Sequence, residues 1–99
     1  MSLRFNRNVT PKWNGRHAWI EFQCDDPAAR TPVRCAVSRA ALEDCGGESL
    51  NPKSCLAATA RRLGRILEVA NAVYAAGRTT SGIVLVDSDD LLRSAPTVH

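Results

Sequence analysis

Cysteines, histidines and clustered acids are the residues of this chain whose side chains most often do chemistry. They fall at Cys24, Cys35, Cys45, Cys55, His17, His99, Asp87, Asp89 and Asp90. No two cysteines have the Cys-x-x-Cys spacing, and neither histidine stands near one in sequence, so zinc-binding turns are not predicted. A calcium loop that started at Asp87 would need a glycine at its sixth position, where Leu92 stands. We therefore expect no metal and no cofactor.

A nucleophilic active site would need a base such as His17 beside a nucleophile such as Ser38 or a cysteine. His17 shares a predicted strand face with Glu21, which could orient its ring, but no spacing in the sequence brings a nucleophile to it. The glycine-rich turn at 46–49 lacks the Lys-Ser/Thr that ends a phosphate-binding loop, and the end of a helix explains it better. We predict that the chain is not an enzyme.

Three arginines, Arg61, Arg62 and Arg65, lie on the polar side of a predicted helix. A basic helix can bind phosphate groups, so this face is a candidate anion-binding site. The alternative is a solvated face on which Arg65 pairs with Glu68. The net charge of +3 is small for a nucleic-acid-binding domain, whose basic residues are usually concentrated in one patch. Nucleic acid therefore ranks below protein as a partner.

Trp19 is a candidate interface residue, because the strand that carries it alternates between apolar and polar positions. In the predicted strand 17–24, Ile20 faces one side and Trp19 faces the other, together with His17 and Glu21. Tryptophan is enriched at protein interfaces. We predict that Trp19, His17 and Glu21 contact either the chain's own N-terminal segment or a second copy, for which a symmetric dimer is the commonest arrangement.

One long amphipathic helix is predicted from Asn51 to Ala76. Its apolar positions step by three and four, at Leu56, Thr59, Leu63, Ile66, Ala70 and Val73. Asn51 is a suitable N-cap, Pro52 fits the first helical position, and Gly77 ends the helix. We expect this stripe to pack on a sheet, with Leu63 and Ile66 in the core.

Two alternating segments, 17–24 and 32–37, predict an antiparallel hairpin. Its inner face is predicted to hold Ile20, Phe22, Val33, Cys35 and Val37. Ser38 can cap a short helix, and an apolar strand follows Gly82. A short edge strand is expected near Phe5. The fold class is α+β, with a small antiparallel sheet of three or four strands against one long helix and a short helix. Residues 1–94 form a single domain and 95–99 a flexible C-terminal tail.

Composition and length limit the classes of function. An apolar fraction of 44% is ordinary for a folded globular chain. Ninety-nine residues leave little material for a deep pocket as well as a core, which favours small binding and regulatory roles. Neither an export signal nor a run of about 18 apolar residues is recognisable. We expect a cytoplasmic protein with reduced thiols and no membrane association.

The order of several short motifs resembles the family called domain of unknown function 1488, which comprises short bacterial proteins. The motifs are Val33 to Ser38 followed by Ala41-Leu42, then Leu56-Ala57-Ala58, Arg65-Ile66, Val73-Tyr74, Gly77-Arg78, Ile83 to Val86, and a final Asp89 or Asp90. Relatives often carry Phe where Thr59 stands, and Asn-Arg where Arg62-Leu63 stands. The resemblance implies an α+β fold and no known activity.

The function predicted from the sequence is that of a non-enzymatic binding or regulatory module acting through protein–protein contacts. Its partner would be a second copy of the chain or another protein. The alternative is a nucleic-acid-binding module that uses the arginine-bearing face of the long helix.

Overall fold

The structure is a computed structural model that describes residues 3–46, 49–79 and 82–93. The predicted tail at 95–99 and Gly47, part of the predicted helix stop, lie outside the described residues. Within the described ranges the chain forms five strands and four helices. In chain order they are β1 Arg4–Phe5, β2 Lys12–Asn14, β3 Trp19–Asp26, β4 Thr31–Ser38, α1 Arg39–Gly46, α2 Pro52–Arg61, α3 Leu63–Ala75, β5 Val84–Val86 and α4 Ser88–Arg93.

The centre of the sheet is the predicted hairpin of β3 and β4, in which Phe22 pairs with Cys35. The predicted inner face is confirmed, because Ile20, Phe22, Val33, Cys35 and Val37 are all buried in one core cluster. The first strand of the hairpin, β3, begins at residue 19 rather than at the predicted residue 17. Ala18 has a φ of 54°, a left-handed conformation that interrupts an extended strand.

The sheet is larger than expected and contains both strand orientations. Strands β1 and β2 both pair antiparallel with the same edge of β3. On the other side β5 pairs parallel with β4, where a wholly antiparallel sheet of three or four strands was expected. Helices α1 to α3 connect β4 to β5 and are long enough to return the chain for a parallel pairing. The α+β class itself is confirmed.

The predicted long helix is interrupted at one residue. Arg62 has φ −110° and ψ 15°, so it ends α2 and begins α3. Two neighbours weaken the helix at this point. The Thr59 hydroxyl donates to the Cys55 carbonyl at 2.8 Å, a bond that often bends helices, and Gly64 has low helix propensity. The two halves also pack on different elements, α2 against β2 and β3, and α3 against β5 and α4.

Both ends of the long helical segment match their predicted caps. Asn51 Oδ1 accepts a hydrogen bond from the Ser54 amide at 2.8 Å. At the other end Gly77 has a φ of 71°, and the Arg78 amide donates to the Val73 carbonyl at 3.1 Å, which is a Schellman motif. The two ends of the helical segment were therefore predictable from the sequence, whereas the bend was not.

Substitution of Gly64 by alanine is expected to stabilise the protein by about 0.5–1 kcal/mol. Gly64 is exposed, its φ is not in the left-handed region, and a Cβ built on it would meet nothing within 4 Å. Alanine would lower the entropy of the unfolded chain without a clash. Urea unfolding of Gly64→Ala beside wild type measures the change, and a lower midpoint would show that the bend at Arg62 needs the glycine.

The core lies between the inner face of the sheet and α3. From α3 it contains Ile66, Val69, Ala70 and Val73, three of which were predicted, and residues of α1, α2 and α4 complete it. Leu63 is only half-buried and Leu56 is 36% exposed, so the predicted stripe does not face the sheet along its whole length. Because the helix bends at Arg62, the stripe on α2 turns towards the N-terminal segment. None of the helices described here is long and apolar enough to cross a membrane.

Candidate functional site

An apolar groove runs between the N-terminal segment and the α2–α3 bend. It encloses a cavity of about 430 Å³. The residues that line it are Phe5, Thr10, Pro11, Leu56, Thr59, Ala60 and Leu63. Five of these seven side chains are apolar, and none is titratable. We call this feature the apolar groove.

The N-terminal wall of the apolar groove is fixed by contacts with the sheet and with α3. The rings of Phe5 and Phe22 lie 6.2 Å apart between centroids and are tilted by 48°. The Leu3 amide donates a hydrogen bond to Asn71 Oδ1 on α3, and the Asn6 amide donates to the Gln23 carbonyl at 2.9 Å. These bonds hold the segment against the body of the protein, which leaves the groove open beside α2.

The helical wall exposes apolar side chains. Leu56, Ala60 and Leu63 follow one another at spacings of four and three, so they lie on one side of the helical segment. Ala60 is small and stands between two leucines, which creates a hollow. Among the large apolar side chains that the structure describes, Leu56 is the most exposed, at 36%.

Both walls belong to basic stretches of the chain. Residues 3–13 and 52–65 carry seven of the 13 basic residues and none of the ten acids. The seven are Arg4, Arg7, Lys12, Lys53, Arg61, Arg62 and Arg65. Lys53 lies three residues before Leu56 and seven before Ala60, on the same side of α2. Arg4 and Lys12, however, stand opposite Asp25 and Glu21 of β3 and lie on the outer face of the sheet, away from the apolar groove.

The three predicted anion-binding arginines occupy different environments. Arg61 is exposed and lines a neighbouring cavity with Ser54 and Ala57. Arg62 is half-buried at the bend. Arg65 donates from Nη2 to the Leu91 carbonyl at 3.2 Å, so part of its hydrogen-bonding capacity is used within the fold. Anion binding by this group stays a prediction.

The three predicted interface residues lie together on the outer face of the sheet. The Trp19 indole donates to Glu21 Oε2 at 2.9 Å. The His17 ring stacks on the indole, and the two ring centroids lie 4.3 Å apart. Ile83 and Ala36 complete the cluster, and Trp19 is left 9% exposed. Most of the indole is thus covered within the chain. An interface role for Trp19, His17 and Glu21 stays a prediction.

Hydrogen bonding at this outer face lowers the pKa of Glu21. The bond from Trp19 has the largest effect, followed by the bond from the Asn14 amide group, and the Arg34 guanidinium adds a smaller effect. The Arg34 Nη2 lies 3.1 Å from the Glu21 carboxylate. The folded state therefore favours the ionised form of Glu21, because the unfolded chain lacks these hydrogen bonds.

Stability is expected to fall with acid partly through Glu21. Because its pKa is lower in the folded state, its contribution is present above the unfolded value, near 4.5, and is lost as pH falls through the folded value. The Glu21→Gln variant lacks this titration. Urea midpoints measured between neutral and strongly acidic pH should show wild type above the variant at neutral pH, with the gap closing in acid. A gap that is constant with pH would contradict the assignment.

A buried carboxylate that the sequence does not single out ties α3 to the hairpin turn. The Tyr74 hydroxyl donates to Asp26 Oδ2 at 2.6 Å, across 48 positions of sequence. Asp26 Oδ1 accepts from the Ala28 amide at 3.0 Å and the Ala29 amide at 3.3 Å. The bond from Tyr74 is the main cause that lowers the pKa of Asp26, and the carboxylate raises the pKa of Tyr74. In the sequence, Tyr74 was singled out only as part of the Val73-Tyr74 motif, and nothing there pointed to Asp26.

Two of the three clustered acids, Asp87 and Asp90, have structural roles. Asp87 Oδ1 accepts from the Ser88 amide at 2.8 Å where α4 begins, as predicted for a helix start. Asp90 pairs with Arg78 at 2.9 Å. Ser38, the predicted cap of α1, accepts from the Ala41 amide at 3.0 Å and donates its hydroxyl proton to Asp87.

Cys24, Cys35 and Cys55 are free and buried. Cys35 is a small core residue, as predicted. Its thiol donates to the Val33 carbonyl at 3.7 Å, and the influence of Cys24 together with burial raises the pKa of Cys35. Burial likewise raises the pKa of Cys55. Across the described ranges no three cysteine, histidine or acidic side chains are grouped so that they could hold a metal ion.

Comparison with known proteins bears on the fold. No family model matches the sequence, and no curated protein matches it. Among solved structures, the chain is similar to the crystal structure of a protein of unknown function from the DUF1488 family of Shewanella loihica PV-4. The two share 20% identity over 86% of this chain and 91% of that one, with a TM-score of 0.73.

This chain has the DUF1488 fold. The resemblance that the motifs indicated is therefore confirmed at the level of architecture. The Shewanella protein is described as being of unknown function, so the DUF1488 fold brings no activity with it. The function of this chain has to be argued from its own surface.

Proposed function

We propose that the protein is a non-enzymatic binding module that holds a segment of a partner protein in the apolar groove. The observation that carries the proposal is the exposure of Leu56 beside a cavity of about 430 Å³. Water contact with apolar surface costs about 25 cal/mol per Å². A partner that covered Leu56 and filled the hollow over Ala60 would recover that free energy.

The chemistry of the lining favours binding over catalysis. Its only side-chain polar groups are the hydroxyls of Thr10 and Thr59, and the Thr59 hydroxyl already donates to the Cys55 carbonyl. General acid–base catalysis needs a titratable group within reach of the reacting atom. The described lining of the apolar groove offers none.

The same lining favours a peptide over a small metabolite. Small-molecule sites place a few convergent polar groups that fix the orientation of the ligand. A peptide helix needs mainly apolar anchors, and it gains specificity from the residues at the rim. The apolar groove has room for such anchors and almost no polar groups, which suits a protein segment.

Selection from a displayed library of random peptides tests the proposal. Peptides enriched on the wild-type protein should bind it and should lose affinity for Leu56→Asp, which places a charge at the apolar groove. Ala72→Asp is the matched control, because Ala72 is exposed on α3 and does not line the groove. Enriched peptides that bind wild type and Leu56→Asp equally well would refute the proposal.

A further inference from the structure

We draw no further inference here: the strongest candidate, the apolar groove between the N-terminal segment and the α2–α3 bend, belongs to the site already described, and nothing in the structure shows what covers it.

Discussion

Ile66→Ala is expected to lower the free energy of unfolding by about 2–5 kcal/mol. Ile66 is fully buried among the inner residues of the sheet and the neighbouring residues of α3. Removing its side chain beyond Cβ leaves a cavity where the core is closed on all sides, so the surrounding residues can relax only in part. Urea unfolding of the variant and of wild type measures the loss.

Leu63→Ala is the matched control for that prediction, because both residues lie on the stripe predicted from the sequence. Leu63 is half-buried and lines the apolar groove. Its truncation should therefore cost clearly less than that of Ile66, since part of its surface already faces solvent. Equal losses for the two variants would mean that the stripe packs uniformly on the sheet and that no bend separates its two halves.

Ala60→Phe is expected to abolish binding of any helix in the apolar groove while leaving the fold intact. Ala60 is exposed and stands between Leu56 and Leu63, so a phenyl ring there would occupy the hollow that a bound side chain would enter. Affinity for a peptide selected on the wild-type protein should fall by more than about tenfold, which corresponds to the loss of one buried apolar anchor.

The thermal midpoint provides the control for Ala60→Phe. A ring that fills the hollow removes exposed apolar surface from water, so the midpoint should stay equal to wild type or rise. Unchanged affinity for the selected peptide, in a variant with a wild-type midpoint, would show that the peptide binds elsewhere on the protein.

Local sequence determined the central hairpin and the caps. Alternation of side chains has a period of two, so it assigns Ile20 and Phe22 to one face without knowledge of the partner strands. Asn51 and Gly77 mark helix ends for reasons that lie within a few residues of each. These features were therefore predictable.

Features that depend on distant packing were not predictable in the same way. The stripe from Leu56 to Val73 has a continuous helical period, and the bend at Arg62 arises from weak local preferences together with the different elements that each half meets. The parallel pairing of β5 depends on where a long connection returns the chain. The bond between Tyr74 and Asp26 joins residues 48 positions apart.

The candidate site also combines a feature that local sequence predicts with features that depend on tertiary packing. Its apolar stripe is visible in the sequence. The apolar groove itself required the bend in the helix and the position of Phe5 against Phe22, which only the tertiary structure provides. The stripe was therefore assigned wholly to the core, and the exposure of Leu56 was missed.

Backbone chemical shifts of the isotope-labelled full chain, followed by NMR during titration with a peptide selected on the wild-type protein, test the central claim most directly. The amides of Phe5, Leu56 and Leu63 should shift with the bound fraction, while those of Trp19 and Leu85 on the outer face should not. The account is contradicted if the shifts concentrate at Trp19 and Leu85 and leave the apolar groove unchanged.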